Sequence, residues 1–367
     1  MQDCGMLRKQ TPGNNSSNSI SLKTLAEHLQ LSPGIVSVVL NESPSASSIP
    51  ATTKDRILAA AQKYNYRPNF FARTLRKKRS LTIGILIQDI GGGYGSLVVS
   101  GIESGLREGG YLYLLASHGH QTNVLEEYTQ LFLERGIEGM IVVDTFLEKP
   151  LPLPTVAISG HRRLKGVTNI VLDHNKAAEV ALKHLASLGH KNIAFMKGQT
   201  FSSDSEVRWK SICLVARKLG IQVRPELSIQ LEAETSSPEL GYPSVKRLLS
   251  HNRDFTALFA YNDISAIGAI RALTDAGLRV PQDVSVVGFD DIQTAAFHNP
   301  SLTTVRQPLS KMGELGAKTL LDRLKGDDKD YPVEIAVEPE LIVRESSAPA
   351  ASRTTAALPR TQLRAAK

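Results

Sequence analysis

Between Ile20 and Tyr66, apolar residues recur at helical spacing in three short bursts. Leu22, Leu25, Ala26 and Leu29 form the first, behind Ser21 as an N-cap. Gln30 and Leu31 make a tight turn. Ser32-Pro33 then sets a cap and a first-turn proline ahead of a second helix that buries Val36, Val39 and Leu40. Gly34, Ile35, Ser37, Val38 and Asn41 are left facing outward. A third helix is expected from Thr52, boxed by Asp55, burying Ile57, Leu58, Ala61 and Tyr64. Two short helices joined by so few residues form a helix-turn-helix, whose second helix is the one that enters a DNA major groove.

After Ser80 the period changes. Continuous apolar runs alternate with amphipathic helices: strand Leu81 to Gln88, helix Tyr94 to Arg107, strand Tyr111 to Ala116, helix Val124 to Leu133, strand Gly139 to Val143. A second series begins with Ile170 to Leu172 and helix Ala177 to Leu188. It continues through strand Asn192 to Met196, helix Glu206 to Leu219, strand Ala257 to Ala260, helix Ile264 to Ala276 and strand Val284 to Phe289. The expected fold class is therefore an all-α headpiece followed by two α/β lobes with parallel sheets, and a cleft where the strand C-termini meet.

Between the two patterns lies YRPNFFARTLRKKRS, Tyr66 to Ser80. Pro68 drives the residues before it out of helix, and Asn69 caps a short new helix through Phe70, Ala72, Arg73 and Leu75. Five cations fall between Arg73 and Arg79. Residues 1–80 hold 12 Lys and Arg against 4 acids, and residues 346–367 hold four cations and no acid. With a net charge of +7 overall, the body between them carries −5. Basic ends on an acidic body fit a nucleic-acid reader joined to something that must not itself adhere to nucleic acid.

Cys4 and Cys213 allow neither a disulfide framework nor a cysteine zinc site. No apolar run approaches a membrane span, and the start lacks the apolar core of a signal peptide, so a cytoplasmic, nucleoid-associated protein is expected. The layout reads as a disordered tail over 1–19, a DNA-binding headpiece over 20–67 and a hinge over 68–80. A two-lobed effector-binding and dimerisation domain follows over 81–345, with a second disordered tail over 346–367.

The segments SLKTLAEHLQLSPGIVSVVLNESP and TTKDRILAAAQKYNYRPNFFARTLR resemble the headpiece and hinge of the lac repressor (LacI/GalR) family of transcription regulators. GIEG at 136–139, HLASLGH at 184–190, VPQDVSVVGFDD at 280–291 and LTTVRQP at 302–308 resemble that family's effector domain. The resemblance spans roughly residues 20–345. It implies a homodimer on a near-palindromic operator in double-stranded DNA, contacted through Ser21, Ser32, Pro33, Gly34, Ile35, Ser37, Val38, Asn41 and Tyr66. Asn69, Ala72, Arg73, Leu75 and Arg76 join them from the hinge, Leu75 matching a leucine that enters the minor groove. Ile35 and Val38 stand where the family carries hydrogen-bonding side chains, and Gln30 replaces its turn glycine. Two apolar side chains touch thymine methyls but read no base edge, which moves specificity toward the hinge and DNA bending.

For the effector, the resemblance implies Asp89, Tyr94, Ser117, Arg208, Asn262 and Asp290. Arg208 matches an effector-contacting arginine able to fork hydroxyls or a carboxylate. Asn262 reads equally as a helix cap and Asp290 as a loop cap. Gly91-Gly92-Gly93 can offer backbone N–H groups to an anion, which makes an acidic sugar derivative one expectation, or can simply let Tyr94 swing over the cleft.

Enzymatic readings are weak. GGGYGS has Ser96 where a dinucleotide loop needs its third glycine, Asp290-Asp291 lacks a nucleophile or base partner, and His118-x-His120 reads as a solvated loop. Neither cofactor nor metal is expected. The function expected is a repressor controlled by a sugar-like small molecule; the alternative is a periplasmic-type solute-binding protein without a DNA role.

Overall fold

In the computed structural model, residues 20–66, 79–232, 238–326 and 331–351 are described. The chain divides into two compact units, Met1–Arg79 and Ser80–Lys367.

The first unit is built on α1 (Leu22–Leu29), α2 (Pro33–Leu40) and α3 (Ala51–Lys63). Leu25, Ala26, Leu29, Val36, Val39 and Ile57 form its small core. Ser21 and Ser32 cap the first two helices, accepting from the N–H groups of Thr24 and Ile35 at 3.1 and 3.3 Å. Gln30 closes α1 in the left-handed region, with φ 55°. The third helix departs from expectation. It starts at Ala51 behind Pro50 with no side-chain cap, so the box between Thr52 and Asp55 does not form. Leu58 is 51% exposed, because it lies a hundred degrees around the helix from buried Ile57 and so small a core accepts one stripe. Asn69, Ala72, Arg73, Leu75 and Arg76 fall outside the described residues.

The second unit holds two six-stranded sheets. The first runs β11-β5-β4-β3-β1-β2 and is all parallel: β1 (Thr82–Ile87), β2 (Leu112–Ser117), β3 (Gly139–Val143), β4 (Thr155–Ile158), β5 (Val167–Leu172) and β11 (Glu334–Val337). The second runs β12-β10-β9-β8-β6-β7: β6 (Ile193–Lys197), β7 (Ser228–Gln230), β8 (Ala257–Phe259), β9 (Ser285–Asp290), β10 (Thr303–Arg306) and β12 (Glu340–Ile342). In it only β12 is antiparallel, to β10. The helices are α4 (Tyr94–Glu108), α5 (Thr122–Glu134), α6 (His174–Ser187), α7 (Ser203–Lys218), α8 (Pro238–His251), α9 (Asp263–Asp275), α10 (Gln293–Phe297) and α11 (Leu309–Leu324).

The chain crosses between lobes three times, after β5, after β10 and after β11. Val167–Leu172 therefore belongs to the first sheet, not to the second series. Helix α11 returns from the second lobe to pack against α4, where a Cβ at Gly101 would meet the Ser310 carbonyl oxygen at 1.9 Å. Only backbone-to-backbone approach fits there.

The expected disorder over 346–367 is corrected for residues 346–351, and the rest of that tail lies outside the described residues. Ser346 is fully buried, its hydroxyl donating to the Val286 carbonyl at 2.6 Å and accepting from Thr303 N–H at 2.8 Å. Ala348 N–H donates to Ser285 Oγ at 3.0 Å and Ala350 N–H to the Leu188 carbonyl. Small side chains let this stretch lie flush on the second lobe and tie down its backbone, a gain that composition alone does not register.

Candidate functional site

The strand C-termini of both sheets open on one cavity. Gln88, Asp89, Gly91, Tyr94 and Asp144 line it from the first lobe; Gln199, Phe201, Ser202, Asp204, Arg208, Tyr261, Asn262 and Asp290 line it from the second. Parallel α/β sheets place ligands at this end because helix N-termini and loop polar groups converge there.

Arg208 is central. It is buried on α7, donates Nη1–H to the Tyr261 carbonyl at 2.6 Å and pairs through Nη2 with Asp204 Oδ2 at 3.0 Å. Its guanidinium lies 3.8 Å from the Phe289 ring centroid and 4.5 Å from that of Tyr261. Among the described residues, its Nε has no hydrogen-bond partner. An arginine held flat between rings with one donor unused is set for a ligand acceptor.

Four carboxyls share the cavity with this single cation. Burial pushes Asp290 up to about 7 despite the pull of Arg208 and a 2.6 Å bond from Gln307 Nε2–H. Burial and the Asp204 charge raise Asp144 to about 7 as well. Asp204 goes the other way: burial opposes ionisation, but His174, His161 and their hydrogen bonds hold its carboxyl well below the usual range.

Asp144 also joins the lobes. Its Oδ1 accepts from Ser203 Oγ at 2.6 Å and Ser203 N–H at 3.2 Å, and Ser203 Oγ also bonds the Ser159 carbonyl. Tyr94 donates its hydroxyl to Ser159 Oγ at 2.9 Å. The bond of Tyr94 lies within the first lobe, so the contacts that cross the cleft here are those of Ser203.

Of the six expected effector residues, the fold brings together Asp89, Tyr94, Arg208, Asn262 and Asp290. Ser117 is not among the lining residues, since its hydroxyl donates to the Gln88 carbonyl at 2.9 Å. Asn262 is also the cap of α9 in a reciprocal box with Ser265. Asp89 accepts from Gly91 N–H at 2.9 Å, so the first glycine amide serves an internal turn. Gly93, at φ 90°, caps α4, and a Cβ there would meet Ile292 Cγ2 at 3.0 Å, so its bareness keeps the opposite lobe close.

Asp290 and Asp291 diverge: the latter pairs with Arg306 and Arg344, both at 2.7 Å, so no catalytic pair forms. The reading of His118 and His120 as solvated is also corrected. His118 is buried against Thr145 Oγ1 at 2.9 Å, and burial takes it down to about 4; His120 lies against Phe201. Asp144, Asp204, Ser203 and Tyr261 were not anticipated. The one signal in the sequence was Asp204 placed four residues before Arg208, a helical ion-pair spacing, but the expected helix began too late at Glu206.

In the headpiece, Ile35 on α2 is 39% exposed, and a Cβ at Gly34 would make only ordinary contact with Ser32 Oγ at 3.8 Å. Asn41 turns back, its Nδ2 donating to the Ser37 carbonyl at 2.7 Å.

A family model for the periplasmic binding protein-like domain matches residues 182–347. The chain is 29% identical over 337 residues to the HTH-type transcriptional repressor PurR of Yersinia pestis bv. Antiqua (strain Antiqua), covering 89% of this chain and 97% of that protein. PurR of Pasteurella multocida (strain Pm70) is 27% identical over 335 residues, covering 89% and 98%. Among solved structures, the lac repressor dimer bound to operator and the anti-inducer ONPF shares the fold, with TM-score 0.79, 24% identity and coverage of 90% and 99%. A CelR–cellobiose complex matches with TM-score 0.66, 25% identity and coverage of 89% and 100%. A ribose-bound LacI family regulator from Enterococcus faecium matches with TM-score 0.64, 27% identity and coverage of 73% and 99%.

Proposed function

We infer that this chain, which belongs to the LacI/GalR family of transcription regulators, is a DNA-binding repressor whose operator affinity is set by a small molecule held between its two lobes. The observation that carries the reading is the pairing of a capped helix-turn-helix with an interlobe cavity built around buried Arg208. A solute-binding protein without a DNA role is not favoured, because the exposed face of α2 would then serve nothing.

Two subunits read the two halves of a near-palindrome, with α2 of each in a major groove. The candidate DNA residues of the headpiece and hinge act together with phosphate contacts from the cationic run before Ser80. The protein performs no catalysis and works in the cytoplasm on the nucleoid. No described helix is long and apolar enough to cross a membrane.

Four carboxyls against one arginine already paired with Asp204 make the cavity a poor host for an anion. A neutral, hydroxylated effector of the sugar class fits better. Its hydroxyls donate to Asp89, Asn262 and Asp290 and accept from Arg208 Nε, while Phe201 and Tyr94 cover its apolar faces. The effector acts by favouring one relative position of the lobes, since a ligand without preference shifts nothing.

The test is binding of the full chain to operator-sized fragments selected from genomic DNA. A near-palindromic site should emerge. Affinity should fall at least ~100-fold between 50 and 200 mM salt as counterions are released, and a neutral sugar should change it. Binding that ignores sequence, salt and sugars refutes the reading.

A further inference from the structure

Beside the cavity three side chains converge that the repressor mechanism leaves unassigned: His161, His174 and Asp204, each presenting one ligand atom within 4.8 Å of the others. They come from three elements. His161 sits in the loop after β4, in the first lobe, with φ 53°. His174 opens α6 at the crossing into the second lobe, and Asp204 lies in the first turn of α7.

Asp204 divides its oxygens. Oδ2 takes Arg208, whereas Oδ1 faces both imidazoles, bonded to His161 Nε2 and 3.4 Å from His174 Nε2. His174 is the unexplained member. It is 4% exposed and stacks near Phe289, yet among the described residues Nδ1 has no hydrogen-bond partner and Nε2 has only the long 3.4 Å contact with Asp204 Oδ1. A buried imidazole seldom goes unpaired, since an unsatisfied polar group costs roughly 1–3 kcal/mol.

We propose that His161, His174 and Asp204 form a binding site for a divalent transition-metal ion of the zinc class, bridging the two lobes. Two imidazoles and one carboxylate are a zinc donor set with the fourth position left for water. Ligand atoms about 2.0–2.1 Å from a tetrahedral ion lie roughly 3.3 Å apart, close to the 3.4 Å between His174 Nε2 and Asp204 Oδ1. His161, which bonds Asp204 directly, draws back to admit the ion. Arg208 on the other carboxylate oxygen is then an outer partner that fixes the ligand's orientation. The nearby carboxyls of Asp144 and Asp290, which interact electrostatically with Asp204 and Arg208, offset the added charge. Because one ligand belongs to the first lobe and the others to the second, the ion stabilises the closed cleft and no other arrangement.

The experiment uses untagged full-length protein stripped with a chelator, without DNA or sugar, so its failure leaves the repressor reading untouched. Zn²⁺ is titrated in competition with a chromophoric chelator, and Co²⁺ binding is followed by visible absorption. One Zn²⁺ per chain is expected, weakened at least ~10–100-fold in His161→Ala and in His174→Ala. Co²⁺ should give the intense visible bands of a four- or five-coordinate site. Unchanged Zn²⁺ affinity in the folded variants, absence of stoichiometric binding, or a weak octahedral Co²⁺ spectrum from wild type overturns the proposal. Should a variant fail to fold, the wild-type stoichiometry and Co²⁺ spectrum decide.

Discussion

Asp290 shows how burial changes what a residue means. In the sequence it is an acid after a strand; in the fold it is a carboxyl closed off beside Arg208 and Gln307, with its pKa at about 7. The folded state thus binds its proton more tightly than the unfolded chain, whose Asp titrates near 3.9. Stability is lost as pH rises from the unfolded value toward 7, and the full cost is present above it. Asp290→Asn keeps an acceptor for Gln307 and removes the cost. Denaturant titrations should find it more stable than wild type by a few kcal/mol at pH 8 (up to about 4 for three units), roughly a third of that at pH 5, and no more below pH 4.

Arg208 was legible in the sequence because its neighbours match a family motif. Asp204 and Asp144 were not, since each acquires its role from residues on other elements: two histidines for Asp204 and Ser203 for Asp144. Ser117 was misplaced for the same reason. A hydroxyl at a strand end points either to the cleft or back to a carbonyl, and only the Gln88 carbonyl just beyond β1 decided.

At the scale of elements, the periodicity of apolar residues located the helices and strands to within a few residues, because burying one face is a local pattern repeated along the chain. What it missed were short elements and two long helices, α8 with fourteen residues and α11 with sixteen. Strand β4 has four residues, too few for a period, and β5 looks alike in either sheet. Turn chemistry gives a prediction here. Gln30 holds a left-handed conformation that costs an L-residue about 1 kcal/mol or more. Gln30→Gly should therefore stabilise the headpiece by about 1 kcal/mol, seen as a higher midpoint in its thermal melt. The α4–α11 contact gives the opposite sign. Gly101→Ala drives a methyl into the Ser310 carbonyl and should cost about 3 kcal/mol or more by urea denaturation. A neutral result would mean that α11 can slide.

For the whole molecule, what matters is how firmly the lobes are held together. Ser203 bonds Asp144 and the Ser159 carbonyl across the cleft without lining the cavity. Ser203→Ala should cost the closed state about 1–1.5 kcal/mol. Affinity for a neutral sugar effector should then fall by up to about tenfold with the binding residues intact, measured by calorimetry. Unchanged affinity would place the effector's leverage elsewhere.

The sequence by itself determined the division into a basic helical headpiece and an α/β body, the capped helices of the reader and the positions of most of the candidate site. Each of these is written in spacing, caps and charge, which act over a few residues. Only the tertiary structure decided which sheet each strand joins, that residues 346–350 are bound down, and that the cavity is rich in carboxyls, with two histidines beside one of them. Those outcomes depend on groups far apart in the chain meeting in a medium from which water is excluded, where a partner's position and not its sequence neighbours sets the energy.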